Sequence, residues 1–479
     1  MENKNEEKTI VKAISILGST QVCNIVVGVI RNKAISLILG AAGMGVMALY
    51  QSTSDIISTI SNMGITTTSI KNISKANAEN DKERIGYVSS AFRKIVVLTG
   101  LLAALISILF SPLLSYINFG DYSHIPQFIL LAFSLWGLQL VAGYTALLQG
   151  CREFKKMSAA TLSGNVIGLF VCIPLYYFFG FSAIVPVLVI YPIINYVVLW
   201  RITKKLEIPR VEVGYKEALV YGKDIIKTGF FICLQSLFAL IYIYALRLYL
   251  SKQGGVELVG LFSAGMMIVN NYVGLVFTSM GTEYYPRLAA VESDEKFIKG
   301  INSQIKRSII LLAPLITIMI VAMPLVVRIL YTEEFIYIVA MASIMLGSVC
   351  FKIVEWCIGF AFIAKGETRT LFFNEVSFKI YTFFISILLY NVYGLFGIGM
   401  AYLICEILFS IQSLIIAKHK WNFVMSKDCI SSSLPLVVIV LFCLFINRTF
   451  DSWIGFTICI ICIVICLRKL IMYLKSLKS

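Results

Sequence analysis

The sequence predicts an all-α protein that crosses a membrane many times. Three observations point to this fold class: 59% of the 479 residues are hydrophobic, only 14% are charged, and the hydrophobic residues occur in long blocks. Soluble proteins are about one-quarter charged. A membrane span needs about 20 mostly apolar residues to cross a hydrocarbon core of about 30 Å. Blocks of this kind fill the chain, so no separate soluble domain is expected.

Apolar blocks separated by turn and charge signals predict about fourteen transmembrane helices. Uncharged runs such as Ile95–Phe110, Ile309–Val327 and Ser432–Ile446 are flanked by basic residues. The predicted helices begin near residues 10, 45, 93, 127, 158, 181, 228, 259, 308, 337, 371, 395, 431 and 452.

The basic residues predict the orientation of these helices. The chain has 41 basic and 26 acidic residues, and most basic residues lie in alternate loops such as 71–94 and 201–227. The intervening loops around 39–45 and 117–126 have none. By the positive-inside rule, both termini are expected on the cytoplasmic side of an inner membrane. No nucleic-acid partner is expected, because these short basic loops meet anionic lipid headgroups.

The two halves of the chain resemble each other at an offset of about 212 to 217 residues. The matches, in chain order, are Gly43 with Gly260, 61–64 with 278–281, 93–94 with 306–307, Pro112 with Pro324, 149–150 with 365–366, and Gly180 with Gly394. This offset covers six helices, so the repeats are parallel. We expect six-helix bundles at 1–205 and 206–420, and two extra helices with a cytoplasmic tail at 421–479. Such bundles favour an alternating-access transporter; a channel or a membrane assembly scaffold is the alternative.

Two consecutive helices carry polar stripes with a spacing of three or four residues. The stripes are Gln21, Asn24, Gly28 and Arg31 in the first helix, and Gln51, Asp55, Ser58 and Asn62 in the second. Lys33 follows the first stripe, and Arg247 matches Arg31 within one residue under the repeat. An ionisable group in a span costs about 3 kcal/mol and usually faces a cavity or a partner. The stripes therefore predict a hydrated lumen, although Asp55 can instead be a structural counter-charge to Arg31.

Further ionisable residues lie in the predicted helices ten to twelve. Lys352 and Glu355 are three residues apart, and Glu375 and Lys379 are four apart. Both spacings allow an ion pair within one helix, which would simply make insertion tolerable. For the first pair the alternative is a sugar site, because Trp356 adjoins it. Glu406 stands alone in its helix, and its role stays open between snorkelling and function.

An enzyme is not expected from this sequence. The two histidines, His124 and His419, lie in loops, and there is no phosphate-binding loop that would use ATP. Cys459, Cys462 and Cys466 have a metal-like spacing, but an apolar helix makes them small hydrophobic residues. Neither a metal site nor a cofactor is expected.

Several segments together resemble the bacterial polysaccharide flippases of the O-antigen translocase type. They are Arg31–Lys33, Leu39–Gly45, Tyr50 with the polar second helix, Lys71–Lys75, Tyr285–Arg287 and Leu330–Tyr331. These flippases belong to the multidrug/oligosaccharidyl-lipid/polysaccharide exporter superfamily, which also holds the multidrug extruders. The resemblance covers most of the chain to about residue 420, and it implies twelve to fourteen helices in two bundles.

The resemblance implies flipping of an undecaprenyl-diphosphate-linked oligosaccharide, such as an O-antigen unit for lipopolysaccharide, to the periplasmic leaflet. Arg31, Lys33 and Arg247 would then neutralise the diphosphate, since guanidinium groups bind phosphate oxygens in pairs. The residues expected to bind the glycan are Asn24, Gln51, Asn62, Lys352 and Glu355. Asp55 would couple transport to a proton or sodium ion. Membrane lipid, a polymerase and other polysaccharide-assembly proteins are the implied partners.

Two related functions stay open within the same superfamily. A peptidoglycan-precursor lipid flippase shares the fold and a basic interior. A multidrug or ion antiporter typically presents acids and aromatic rings to cationic substrates, whereas the candidate lumen residues here are mainly basic.

Overall fold

The computed structural model of the protein describes residues 2–79, 81–206, 211–291, 293–449 and 453–476. Throughout these residues the regular structure is helical, which confirms the all-α class. The helices are α1 (Glu2–Asn62), α2 (Ile65–Ala78), α3 (Lys82–Leu109), α4 (Ser111–Phe119), α5 (Ile125–Gly150), α6 (Phe154–Phe179), α7 (Ile184–Thr203), α8 (Tyr215–Ala289), α9 (Asp294–Leu330), α10 (Val339–Ala364), α11 (Thr368–Trp421), α12 (Lys427–Thr449) and α13 (Trp453–Ser476). Short 3₁₀ helices at Gly180–Ala183 and Glu333–Ile338 precede α7 and α10.

Ten helical stretches of the described chain are long and apolar enough to cross a membrane. Four of them, Ser19–Asn62, Phe154–Thr203, Cys233–Thr278 and Thr368–Trp421, are 44 to 54 residues long. This length is about twice what one crossing needs. Each of the four contains a break marked by glycine. The described residues therefore provide fourteen spanning segments, as the sequence predicts.

The glycine breaks recur in the two repeats. Gly40 interrupts α1 with a φ of 63°, and Gly255 interrupts α8 with a φ of 72°. Gly180 separates α6 from α7 with a φ of 55°, and Gly394 interrupts α11 with a φ of 60°. Glycine adopts a positive φ without the clash that a Cβ causes. Both pairs have the offset found between the halves of the sequence, so the backbone follows the predicted duplication.

Some helix boundaries differ from those predicted. The helices α3 and α9 begin at Lys82 and Asp294 rather than near 93 and 308, because both helices extend for about three to four turns of polar and charged residues before the apolar segment. The Asp81 carboxylate accepts a hydrogen bond from the Arg84 backbone N–H and caps α3. The short helices α2 and α4 were not predicted, since each is shorter than a span.

The chain forms two compact units, Met1–Gly260 and Leu261–Ser479. This division lies later than the expected boundary at residues 205 and 206. The reason is that part of α8 packs within the first unit, where Tyr244 lies 3.4 Å from the Thr53 hydroxyl. The first unit therefore holds the N-terminal repeat and the first half of α8.

A close helix contact inside the first unit depends on two glycines. A Cβ on Gly45 would lie 1.7 Å from the Val256 carbonyl oxygen, and a Cβ on Gly260 would lie 1.9 Å from the Ala41 carbonyl oxygen. Neither distance is possible for a side chain. The segments of α1 and α8 that follow the Gly40 and Gly255 breaks therefore approach backbone to backbone.

Within the second unit, the two helices outside the duplication pack on α9. Cys443, Ile446, Cys459 and Cys462 form a buried apolar cluster that contacts Val321 of α9. These cysteines fill space as small hydrophobic residues.

Candidate functional site

The stripe on the first half of α1 packs against α6 and α7. The Asn165 side-chain amide donates a hydrogen bond of 2.9 Å to the Asn24 Oδ1, and the Tyr191 hydroxyl donates one of 2.7 Å to the Asn165 Oδ1. The Arg31 guanidinium lies 5.6 Å from the centre of the Tyr191 ring. Asn24 and Arg31 are thus joined through two residues, Asn165 and Tyr191, that sequence reasoning missed. The sequence signal that could have identified them is the presence of Asn165 and Tyr191 inside otherwise apolar spans.

Arg31 is half-buried, and in the part of the chain that the structure describes no carboxylate forms an ion pair with it. Its charge acts on Tyr176 of α6, whose hydroxyl donates to the Met47 sulfur at 3.7 Å. A cation–π contact such as that with Tyr191 contributes about 0.5–2 kcal/mol without neutralising the charge. Lys33, also half-buried, lies half a turn further along α1. This region therefore keeps a positive charge available for an anion.

Arg247 of α8 is bound to the second half of α1. Its Nη1 donates to the Ser52 hydroxyl and, at 3.4 Å, to the Ala48 carbonyl oxygen. The charge of Arg247 also acts on Asp55, one turn beyond Ser52. The side chains of Asp55 and Gln51 are exposed. The cation that acts on Asp55 is therefore Arg247 rather than Arg31, the counter-charge expected from the sequence.

Asn62, at the end of the second stripe, forms hydrogen bonds with other helices of the first unit. Its side-chain amide donates a hydrogen bond of 2.9 Å to the Gln139 Oε1 of α5 and one of 2.7 Å to the Thr66 hydroxyl. Gln139 in turn donates to the Ser58 carbonyl oxygen at 2.8 Å. The side chain of Gln139 is buried, so these bonds join the end of α1 to α5.

Five ionisable residues of the second unit lie together inside its spans. Lys352 and Glu355 come from α10, whereas Glu375, Lys379 and Glu406 come from the two halves of α11. The predicted pair Glu375–Lys379 is present, with 4.0 Å between Oε2 and Nζ. The charges of all four other residues act on Glu355. We call this group the ionic cluster. Sequence reasoning treated Glu406 as solitary, because nothing in its own helix reveals neighbours on α10.

The first unit also contains a pocket of about 410 Å³ whose lining includes Tyr50, His124 and Gln127. The Tyr50 hydroxyl and the His124 Nδ1 are 2.8 Å apart. Burial lowers the pKa of His124, against the opposing effect of the Asp121 carboxylate. His124 therefore favours its neutral form and acts here as a hydrogen-bonding group.

Fourteen spanning segments, twelve of them in two parallel six-helix repeats and two outside the duplication, carry charged groups inside the spans, an arrangement typical of a transporter fold. Among solved structures, the lipid II flippase MurJ in an inward closed conformation has a TM-score of 0.69 and 14% identity, covering 98% of this chain and 100% of that one. An inward-facing multidrug resistance MATE family transporter of the MOP superfamily has a TM-score of 0.70 and 14% identity, covering 84% and 94%. A MOP superfamily transporter from Pyrococcus furiosus has a TM-score of 0.61 and 16% identity, covering 86% and 96%. The chain has the fold of the MOP superfamily.

The family model described as polysaccharide biosynthesis protein matches residues 35–340. The chain belongs to this polysaccharide biosynthesis family. A comparison with curated protein sequences finds no match.

Proposed function

We propose that this protein is a flippase that moves an undecaprenyl-diphosphate-linked oligosaccharide, such as an O-antigen unit, from the cytoplasmic to the periplasmic leaflet. The observation that carries this proposal is Arg31, a half-buried guanidinium in a spanning helix that lies over the ring of Tyr191, which is itself hydrogen-bonded to Asn165. A permanent positive charge in a span is expensive and calls for an anionic ligand. A lipid-linked diphosphate supplies that anion inside the membrane.

The diphosphate would be bound by Arg31, Lys33 and Arg247. Arg247 donates to the Ser52 hydroxyl, and a phosphate oxygen can take the place of that acceptor. Charge-assisted hydrogen bonds from guanidinium groups contribute about 1.5–3 kcal/mol each. The undecaprenyl tail would stay in the surrounding lipid.

The glycan would be bound by polar residues of the two stripes. Gln51 is exposed, and Asn24 keeps its amide nitrogen for a sugar hydroxyl while its oxygen accepts from Asn165. Asn62 could contribute only by exchanging its bond with Gln139. Lys352 and Glu355, the other expected glycan contacts, lie among the charges of Glu375 and Glu406. These surroundings favour an ion over a sugar.

Coupling to an ion gradient is the remaining part of the proposal. Asp55 is exposed and faces the charge of Arg247, so a proton or sodium ion at Asp55 would change the pairing of Arg247. We place the protein in the bacterial inner membrane with both termini in the cytoplasm, next to a polymerase and other assembly proteins. Polysaccharide assembly would consume the flipped product.

A second candidate function is flipping of a peptidoglycan precursor. It is favoured by the likeness in fold to the lipid II flippase, which extends over 98% of this chain and 100% of that one. This substrate also carries a diphosphate, so Arg31 and Arg247 would serve it equally. A multidrug antiporter fits less well, because a cationic drug would be repelled by these groups.

Purified protein in proteoliposomes tests the proposal. Flipping should be faster for a fluorescent undecaprenyl-diphosphate oligosaccharide of O-antigen type than for lipid II, and faster for both than for undecaprenol, which lacks the diphosphate. A preference for lipid II would select the second candidate. Export of cationic dyes without lipid flipping would overturn both.

A further inference from the structure

The ionic cluster of the second unit contains a buried carboxylate with an unsatisfied oxygen. Glu406 has only 5% of its surface exposed, and its Oε2 has no hydrogen-bond partner among the described residues. Lys352 and Glu375 are among the groups whose charges act on Glu406, so the carboxylate faces the cluster. A buried ionised oxygen without a partner is strongly unfavourable.

The charges of the cluster do not balance. Three carboxylates, Glu355, Glu375 and Glu406, share the site with two ammonium groups, Lys352 and Lys379. Glu375 is paired with Lys379 at 4.0 Å, which leaves Lys352 for two carboxylates. Like charges held close together in a medium of low dielectric constant do not both ionise. One bound cation is needed for neutrality.

We propose that Glu355 and Glu406 share one proton, and that they form an intramembrane proton-binding site with Lys352 and Lys379 in the second unit. Proton binding itself is independent of the substrate, whereas a coupling role for the site rests on the proposed flippase activity. The site is separate from Asp55, which lies in the first unit.

A proton fits this site better than a metal ion. No group of three or more acidic, histidine or cysteine side chains in the described residues has an arrangement that could hold a metal. The two ammonium groups would also repel a sodium ion. A proton needs only one carboxylate oxygen, and the buried Glu406 Oε2 provides it.

Polar side chains lie beside the ionic cluster on α11. One turn after Glu406 on α11, the Ser410 hydroxyl donates a hydrogen bond of 2.7 Å to the Phe351 carbonyl oxygen of α10. The Asn374 amide donates a hydrogen bond of 3.0 Å to the Ser413 hydroxyl. The Gln412 amide donates a hydrogen bond of 2.7 Å to the Asn374 Oδ1, so these polar side chains extend toward the end of α11. On the apolar side, the rings of Phe378 and Phe409 stack with their centres 4.2 Å apart. Among the described residues, the Tyr381 hydroxyl and the Cys405 thiol are further titratable groups that interact with Glu406.

Infrared difference spectroscopy of the purified protein in lipid nanodiscs tests the site without any substrate. We expect a carbonyl band of a protonated carboxylic acid at neutral pH that disappears as the pH is raised. Glu406→Gln and Glu355→Gln should each change or remove this band. The matched control, Glu334→Gln, replaces an exposed carboxylate and should leave the band unchanged. Because glutamine imitates a protonated glutamic acid, Glu406→Gln should fold.

A second variant keeps the test informative if folding is impaired. Lys379→Gln removes a positive charge from the cluster, so the midpoint of the band's titration should rise by about one pH unit or more. Absence of the band at every pH in the wild type, or a band unaffected by the Glu406, Glu355 and Lys379 variants, would overturn the proposal. A band that falls when sodium replaces choline at constant pH would also overturn it, by showing a metal-ion site. If the band behaves as expected and no lipid is flipped, the proton site stands and the proposed function fails.

Discussion

At the scale of single residues, the two half-buried arginines of the first unit, Arg31 and Arg247, have different surroundings. Arg31 lies over the Tyr191 ring, which leaves its charge unbalanced, whereas Arg247 is bound to Ser52 and faces Asp55. A ligand anion can therefore approach Arg31 directly, but it must compete with Asp55 for Arg247. Protonation or cation binding at Asp55 would remove that competition.

Asp55→Asn tests this coupling role. The substitution removes the titratable group but keeps the shape, so ion-driven flipping should fall several-fold while protein abundance and substrate binding stay near wild type. The measurement is initial flipping rate with and without an ion gradient. Asp121→Asn, an exposed loop variant, is the control. Full gradient-driven activity in Asp55→Asn would leave Asp55 only a structural counter-charge to Arg247.

At this scale the sequence indicated which residues were unusual but not their neighbours. The spacing of Gln51, Asp55, Ser58 and Asn62 identified one helix face. It could not show that Asn62 bonds to Gln139, because that contact joins residues 77 positions apart. Contacts between distant helices depend on packing, which a single helix does not reveal.

At the scale of helices, a buried glutamine joins α1 to α5. Gln139→Leu removes the hydrogen bonds to Ser58 and Asn62 and leaves these half-buried polar groups without that partner. The loss should destabilise the protein by about 1–3 kcal/mol. Thermal unfolding of the detergent-purified protein should shift to lower temperature, whereas Gln253→Leu at an exposed position should have little effect. Equal unfolding temperatures for both variants would show that the bonds do not stabilise the contact.

The helix contact at Gly45 and Gly260 gives a second test at this scale. Gly45→Ala would place a Cβ 1.7 Å from the Val256 carbonyl oxygen, so α1 and α8 must separate. Folded protein in membranes should be strongly reduced, as measured by fluorescence-detected size-exclusion chromatography. Gly28→Ala is the matched control, since a Cβ there meets nothing within 4 Å. Normal yield and activity of Gly45→Ala would show that this close approach is not required.

Helices long enough to span the membrane could be predicted from the sequence, whereas short helices could not. Spans were visible as apolar blocks, and the repeat correctly related Gly180 to Gly394. The helices α2 and α4 were missed because they have 14 and 9 residues, too short for a hydrophobic span.

At the scale of the whole molecule, the basic loops predict the topology. Reporter fusions should place both termini and the segments 71–94 and 201–227, which join successive spans, in the cytoplasm, because positive residues are retained there. The loop 121–126 should be periplasmic. A periplasmic signal from 201–227 would contradict the arrangement of the repeats, since this loop joins them.

The central claim about the whole molecule is that Arg31 and Arg247 together bind the diphosphate. The repeat relates the two residues, and each is half-buried in a spanning helix. Replacement by Lys keeps the charge but loses the paired hydrogen bonds, so partial activity is expected. If each Arg instead only anchors its helix near the headgroups, Ala variants should either lose abundance or show no effect.

The most direct measurement is the flipping rate per molecule of membrane-inserted protein in the double variant Arg31→Ala, Arg247→Ala. Arg201→Ala, Arg369→Ala is the matched control, because it removes two exposed basic residues. The diphosphate role predicts that flipping is lost in the first variant and retained in the second, at similar abundance. Wild-type flipping by Arg31→Ala, Arg247→Ala at normal abundance would contradict the account.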